Sequence, residues 1–319
     1  MRIATFQAGS EQGPGLVIAG QQIVDLRQAF VLAQAQGKLD PALTVPRSVL
    51  DIIAGAAALR EACNTIMQEA EAGRLARACL PRNQITFLAP IPRPLKNVFC
   101  VGSNYRAHVT EASRAQKKED KIPDFPVFFT KPPTAVVGPG ANIRLDSSLS
   151  QKMDYEVELG VVIGKAGRDI PAANAIEHIF GFTIINDITA RDIQRRHGGQ
   201  FLKGKGLDTS CPMGPVIVTL DELPHFDQLR ISLKVNDEVR QDGNTSSMMF
   251  TVPKLIESLS EGMTLEPGDL LATGTPSGVG YAMDPPCFLK DGDSVTCEIE
   301  GIGQLHNTVR EASTEANAA

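Results

Sequence analysis

The sequence predicts a β-rich α+β fold, with a small α+β unit ahead of a larger one. Three observations carry this. Most apolar residues fall in short runs bounded by glycine, proline or polar clusters, the spacing of strands and turns. Few stretches repeat at helical spacing. The proline-rich segment Ala89-Pro90-Ile91-Pro92-Arg93-Pro94 stiffens the chain as a linker would, which divides it into domains at 1–90 and 91–319.

In the first unit, Ile3–Phe6, Leu16–Ala19 and Ile23–Leu26 read as small strands, punctuated by Gly13-Pro14-Gly15 and Gly20. One helix follows. Ser48 and Asp51 have the form of an N-terminal cap, and Ile52, Ile53, Leu59, Cys63, Ile66, Met67 and Ala70 recur at helical spacing until Gly73. These residues carry core packing and no evident chemistry.

The second unit opens with a strand, Asn97–Val101, that leads into Gly102-Ser103-Asn104-Tyr105-Arg106-Ala107-His108. On a helical turn His108 and Glu111 lie side by side, so the carboxylate can fix the imidazole tautomer and raise its basicity. A plain surface pair fits the same spacing. Residues 112–125 are polar and charged, which suits either a mobile cover or an exposed loop. Lys131 ends the apolar strand that starts at Val127.

The run from Asp154 to Asp192 holds the densest chemistry. Asp154-Tyr155-Glu156-Val157-Glu158-Leu159 continues through Val161-Val162-Ile163 as one strand, which puts Glu156 and Glu158 on one face. Tyr155, Val157, Leu159, Val161 and Ile163 take the other face. A second strand, Phe182–Ile185, brings Asp187 to its end. Buried carboxylates this close repel one another unless a cation compensates them. Three oxygen donors without Cys or His suit Mg²⁺ or Mn²⁺, with Ca²⁺ as a further fit. An edge strand with a solvated acidic face would show the same pattern, with Asp187 as a cap for Thr189-Ala190-Arg191. Arg191 and Gln194 follow at i+4 and i+7 from Asp187, and Lys205 lies between Gly204 and Gly206, which permit close backbone approach.

Later elements are a strand at Leu229–Val235, a turn at Asn236-Asp237-Glu238 and a helix at Val252–Leu259. Leu270-Leu271-Ala272 delivers Thr273-Gly274-Thr275-Pro276. Ser294–Ile299 is the last clear strand, and 311–319 reads as a frayed tail.

Together, Asp154-Tyr-Glu-Val-Glu-Leu159, Asn186-Asp-Ile-Thr-Ala-Arg-Asp-Ile-Gln194, Gly204-Lys-Gly206 and Thr273-Gly-Thr-Pro-Ser-Gly-Val-Gly280 resemble the fumarylacetoacetate hydrolase superfamily, over roughly 91–310. The likeness is to its acylpyruvate hydrolase and 2-hydroxyhepta-2,4-diene-1,7-dioate isomerase-like branch. It implies a mixed β-sandwich roll and a homodimer. It implies a divalent metal on Glu156, Glu158 and Asp187, with His108, Glu111 and Lys205 catalytic. Tyr105, Lys131, Arg191, Gln194 and Thr275 would contact substrate.

The resemblance further implies metal-dependent C–C hydrolysis of a 2,4-dioxo-acid (an acylpyruvate, a fumarylpyruvate-like diacid or a diketo sugar acid) to pyruvate and a carboxylic acid. Water activated by His108 and Glu111 would attack, and Glu111 favours this hydrolytic branch. Relatives with the same ligands tautomerise or decarboxylate 2-oxo-diacids in aromatic compound catabolism, which is the alternative. A non-catalytic binding protein on the same fold is the remote one.

Composition sets outer bounds. A net charge of −6 without a basic run disfavours nucleic acid as a partner. No stretch has eighteen consecutive apolar residues and the N-terminus lacks a signal-like apolar core, so a cytoplasmic protein without a membrane partner is expected. The six cysteines are scattered and lack a C-x-x-C pair, which argues for reduced thiols rather than a zinc site or disulfides.

Overall fold

The computed structural model describes residues 1–18, 22–55 and 57–312. The turn expected at Gly20 and the tail beyond Ala312 lie outside them. Strands β1 (Arg2–Ala8), β2 (Glu11–Ile18) and β3 (Gln22–Asp25) form an antiparallel ladder, with β4 (Cys79–Leu80) on β3 and β5 (Thr86–Phe87) on β1. Between β3 and β4 come α1 (Leu26–Ala35), α2 (Val49–Ala54) and α3 (Ala57–Glu71). After Pro94 the chain makes β6 (Val98–Gly102), α4 (Arg106–Gln116), β7 (Val127–Lys131), β8 (Val136–Val137) and β9 (Asn142–Leu145). Next are β10 (Met153–Asp154), β11 (Val157–Ile163), β12 (Ile179–Asn186), β13 (Thr189–Ala190), α5 (Arg191–Arg196) and α6 (Leu202–Lys205). The chain ends with β14 (Cys211–Thr219), β15 (Arg230–Val235), β16 (Glu238–Asn244), α7 (Val252–Ser260), β17 (Leu270–Ala272), β18 (Ser294–Ile299) and β19 (Gly303–Glu311).

Two large sheets organise the molecule. One runs β4-β3-β2-β1-β14-β12-β11-β17-β6-β7, with β5 and β8 attached to β1 and β14, and the other runs β16-β15-β18-β19-β9. The first core lies where they pack, with Leu159, Val161, Phe182 and Ile184 meeting Ile231, Leu233, Val295 and Leu305. Tyr155, Val157, Leu159, Val161 and Ile163 all enter that core, as strand alternation requires. Val162 points the other way, into a second core shared with α1, α2 and α3. The first strands belong to the same sheet as the rest, because Arg2 and Ile3 of β1 pair with Val218 and Ile217 of β14. This is the strand-rich α+β architecture expected, with several sheets and few helices. No helix among the described residues is long and apolar enough to cross a membrane.

Five local expectations change. The single helix after Ser48 is two, because Gly55 takes an extended conformation (ψ 153°) and ends α2. The capping box of Ser48 and Asp51 is present. The run from Asp154 to Ile163 is interrupted at Tyr155-Glu156, where side chains replace the ladder: Glu156 N–H donates to Asn186 Oδ1 and Val157 N–H to Gln241 Oε1. Residues 112–116 continue α4 rather than forming loop, since His108 and Val109 give the helix a buried side and its polar residues the other. Asp187 does not share a helical face with Arg191, because extended β13 separates them. A strand follows Ile299: β19 pairs with both β18 and β9 and includes Glu311, the first residue of the segment expected to fray.

Candidate active site

Glu156 sits between β10 and β11, Glu158 on β11, and Asp187 just past β12. The register Val157↔Asn186 brings them together, and Asp187 N–H donates to Glu156 O at 2.8 Å. One carboxylate oxygen from each lies within 4.8 Å of the others, and all three residues are buried. The edge-strand reading with a solvated acidic face therefore falls.

Three cations reach two of these carboxylates. Lys205 Nζ lies 2.6 Å from Glu156 Oε2 and 2.6 Å from Asp187 Oδ2. Arg191 Nη2 is 2.6 Å from Glu156 Oε1, and Lys131 Nζ is 2.6 Å from Asp187 Oδ1. Glu158 forms no ion pair among the described residues and accepts the Gly274 N–H at 2.7 Å. The electrostatic consequence is a division of labour. Burial would raise the Glu156 carboxyl, but Lys205 and Arg191 outweigh it and hold it at about 2. Burial, then Asp187 and Glu156, push Glu158 well above the usual carboxylate range. Burial also works against the Lys205 ammonium, yet Asp187 and Glu156 keep its pKa raised.

A divalent cation fits this donor set. Hard oxygen donors converge, and Glu158 is buried among like charges without an ion pair of its own among the described residues. Glu156, Glu158 and Asp187 are the residues that would hold it.

Glu156 and Glu158 open on a cavity of about 490 Å³, lined also by His108, Ala112 and Gln116 of α4 and by Gln194, Arg195 and Phe201. Phe129 and Phe201 meet edge to face at 5.4 Å and form an apolar wall. The His108 Nδ1 lies 2.9 Å from Glu111 Oε1, while Glu111 Oε2 accepts the Gly278 N–H at 2.8 Å. That carboxylate therefore favours the proton on Nδ1 and leaves Nε2 as the lone pair. Gly278 is required here: its φ is +106°, and a Cβ would come 1.9 Å from Arg240 O.

The structure thus brings His108, Glu111, Lys205, Arg191, Gln194 and the triad to one place. Other sequence candidates sit differently. Lys131 is behind the triad, fully buried, bonded to Asp187, to Ile188 O at 3.1 Å and to Lys205 O, so it braces the carboxylate instead of facing the cavity. Tyr105 is buried at the start of α4, and its hydroxyl has no hydrogen-bond partner among the described residues. Thr275 lines the cavity, but its hydroxyl donates to Val157 O at 2.9 Å and accepts from Gln241 Nε2 at 2.8 Å. Arg191 is likewise occupied: Nε donates to Asp154 Oδ2 at 2.8 Å and Nη1 to Gln194 Oε1 at 3.3 Å.

Sequence reasoning missed four residues. Asp154 accepts from Arg191, Gly280 N–H and Tyr281 N–H, joining the acidic strand to the Thr273–Gly280 loop. It stands in the quoted acidic motif, where the signal was available. Asn104 side-chain bonds to Thr273 O and Phe250 hold α4's entry to the same loop. Tyr281 and Arg195 had no signal beyond their neighbourhood.

A buried oxygen triad and a tautomer-fixed imidazole beside one cavity form an acid–base site with room for a divalent cation. The chain belongs to the family described as fumarylacetoacetate (FAA) hydrolase C-terminal, whose model matches residues 97–310. It is 42% identical over 311 residues to the oxaloacetate tautomerase YisK of Bacillus subtilis (strain 168), covering 97% of this chain and 100% of the relative. It is also 42% identical over 313 residues to the mitochondrial oxaloacetate tautomerase FAHD2A of Bos taurus, covering 97% and 91%. A solved structure of maleylpyruvate hydrolase from Sphingobium sp. SYK-6, in complex with manganese (II) ion and pyruvate, superposes with a TM-score of 0.73 at 30% identity, covering 98% and 100%.

The two oxaloacetate tautomerases overturn the expected C–C hydrolysis. The full-length likeness at 42% is to tautomerases, which do not consume water. The error has a physical source. Glu111 fixes the tautomer of His108 and leaves the Nε2 lone pair free, and that lone pair can take a proton from carbon as well as from water.

Proposed function

We propose that this protein is a divalent-metal-dependent tautomerase of a 2-oxo-diacid, with oxaloacetate as the first substrate to test. One observation carries it: the Glu111-braced His108 shares a cavity with Lys205, Glu156 and Glu158, in a chain similar end to end to oxaloacetate tautomerases. A cation on Glu156, Glu158 and Asp187 would lower the energy of negative charge on the 2-oxo oxygen. His108 Nε2 takes the proton from the carbon next to the 2-oxo group. Glu111 holds the resulting imidazolium, and Lys205 Nζ adds positive charge beside the oxygen. The same His108 then returns the proton to that oxygen, so the enol forms without net gain or loss of atoms. Run backwards, the sequence gives the keto form. Phe129 and Phe201 exclude water, which keeps the transferred proton from exchanging and protects the substrate from attack.

Mg²⁺ and Mn²⁺ are the proposed ions. A cytoplasmic homodimer acting on free acid, without nucleic acid or membrane as partner, completes the reading; the family resemblance and the net charge of −6 support it. The deciding experiment follows loss of enol absorbance of freshly dissolved oxaloacetate with Mn²⁺ and with EDTA, while pyruvate is assayed separately. Accelerated equilibration that EDTA abolishes, without pyruvate, is expected. Stoichiometric pyruvate would replace tautomerisation by decarboxylation, and no acceleration under any condition would sink the enzymatic reading.

A further inference from the structure

Among the described residues, four basic side chains line the cavity: Lys118, Arg191, Arg195 and Lys205. Two are already neutralised, Lys205 by Glu156 and Asp187, and Arg191 by Asp154 and Glu156. Lys118 and Arg195 have no carboxylate partner among the described residues. They differ in how they are held. Lys118 follows the end of α4 on a flexible stem. Arg195 lies one turn beyond Arg191 on α5, and its guanidinium is 5.3 Å from the centre of the Tyr281 ring, which Arg191 covers at 4.3 Å.

This spacing has a chemical meaning. Arg191 is fixed to the triad through Glu156, and the i to i+4 step carries Arg195 about 6 Å farther along the helix axis. A diacid held at the triad by its 2-oxo-carboxylate end must place a second carboxylate in the same cavity, beside three carboxylates of the protein. That end needs an uncommitted cation. The planar guanidinium matches a carboxylate with two parallel hydrogen bonds, and its stacking on Tyr281 limits the freedom lost on binding.

We infer that Arg195 receives the second carboxylate of the substrate and sets a preference for diacids over 2-oxo-monoacids. This rests on the proposed tautomerase reading for the identity of the substrate, but binding tests it separately. Malate and lactate share a 2-hydroxy-carboxylate end and differ in the second carboxylate, and neither needs turnover to be measured. Calorimetric titration of the Mn²⁺-loaded wild type should give malate an affinity about 10- to 100-fold above lactate, the worth of a charge-assisted pair. In Arg195→Met the ratio should fall to near one, and Arg195→Lys should recover part of it. Lys118→Met should leave the ratio as in the wild type.

A wild type that binds malate no better than lactate overturns the inference. So does a ratio that survives in Arg195→Met, or one that collapses in Lys118→Met instead. Absence of oxaloacetate tautomerisation in the wild type would count against the functional reading alone, since the malate-to-lactate ratio still decides the role of Arg195.

Discussion

His108, Glu111 and Glu158 carry the predictions at the scale of single residues. His108→Asn should lower the tautomerisation rate by about 10²–10⁴-fold, the usual worth of a positioned general base. Mn²⁺ affinity should stay near wild type, since the imidazole is not among the three ligands, and calorimetry beside a rate assay checks both halves. Glu158 makes a prediction about the metal-free protein. Its pKa stands above the usual 4.5 in the folded state, so stability is lost as pH rises from that value through the folded pKa. Glu156, held at about 2, acts oppositely: its contribution is present above 4.5 and disappears as pH falls through 2. Glu158→Gln should therefore raise metal-free stability at pH 7 by on the order of 1 kcal/mol. The gain should shrink toward pH 5 in thermal melts with EDTA, and Mn²⁺ binding should be lost. The three carboxylates were legible because alternation along one strand and a strand end are local properties. The true engagements of Lys131, Thr275 and Arg191 were not, because each depends on a partner distant in sequence: Asp187, Gln241 and Asp154.

At the scale of elements, the site depends on two short helices meeting closely. A Cβ on Gly204 would lie 2.5 Å from the Gln194 Cα, so only glycine lets α6 carry Lys205 against α5. Gly204→Ala should force them apart and cost about 1–3 kcal/mol in denaturant unfolding. Activity should fall further than stability implies, because Lys205 and Gln194 both move. The flanking glycines of Lys205 announced this contact in the sequence. Other elements were legible in part. The strand at Leu229–Val235 and its turn were readable because β15 alternates and Asn236 and Asp237 tolerate the positive φ that the turn requires. β19 escaped notice because Gln304, His306 and Thr308 make one face polar, and Asn307 interrupts the buried face of Leu305 and Val309.

For the whole molecule, the proline-rich segment at 89–94 invited a division that the sheet crosses. Pairing of β1 with β14 predicts that a fragment 91–319 loses partners for an interior strand and exposes Ile217 and Met213 of the second core. It should aggregate or lack a cooperative thermal transition, as gel filtration and circular dichroism would show. A soluble, cooperatively melting fragment would instead establish that residues 91–319 fold without the first ninety. Sheet order was illegible in the sequence, because pairing across about two hundred residues leaves no local trace.

The same pairing imposes an order in time. During synthesis β1, β2 and β3 leave the ribosome long before β14 exists, and at about 5–20 residues per second the gap is roughly 10–40 s. For that interval Arg2 and Ile3 of β1 lie on a strand edge whose native partner, β14, has not yet been made. Its early exposure is thus a property of gene order, and a circular permutant that begins near residue 91 would make β14 first and shorten the wait.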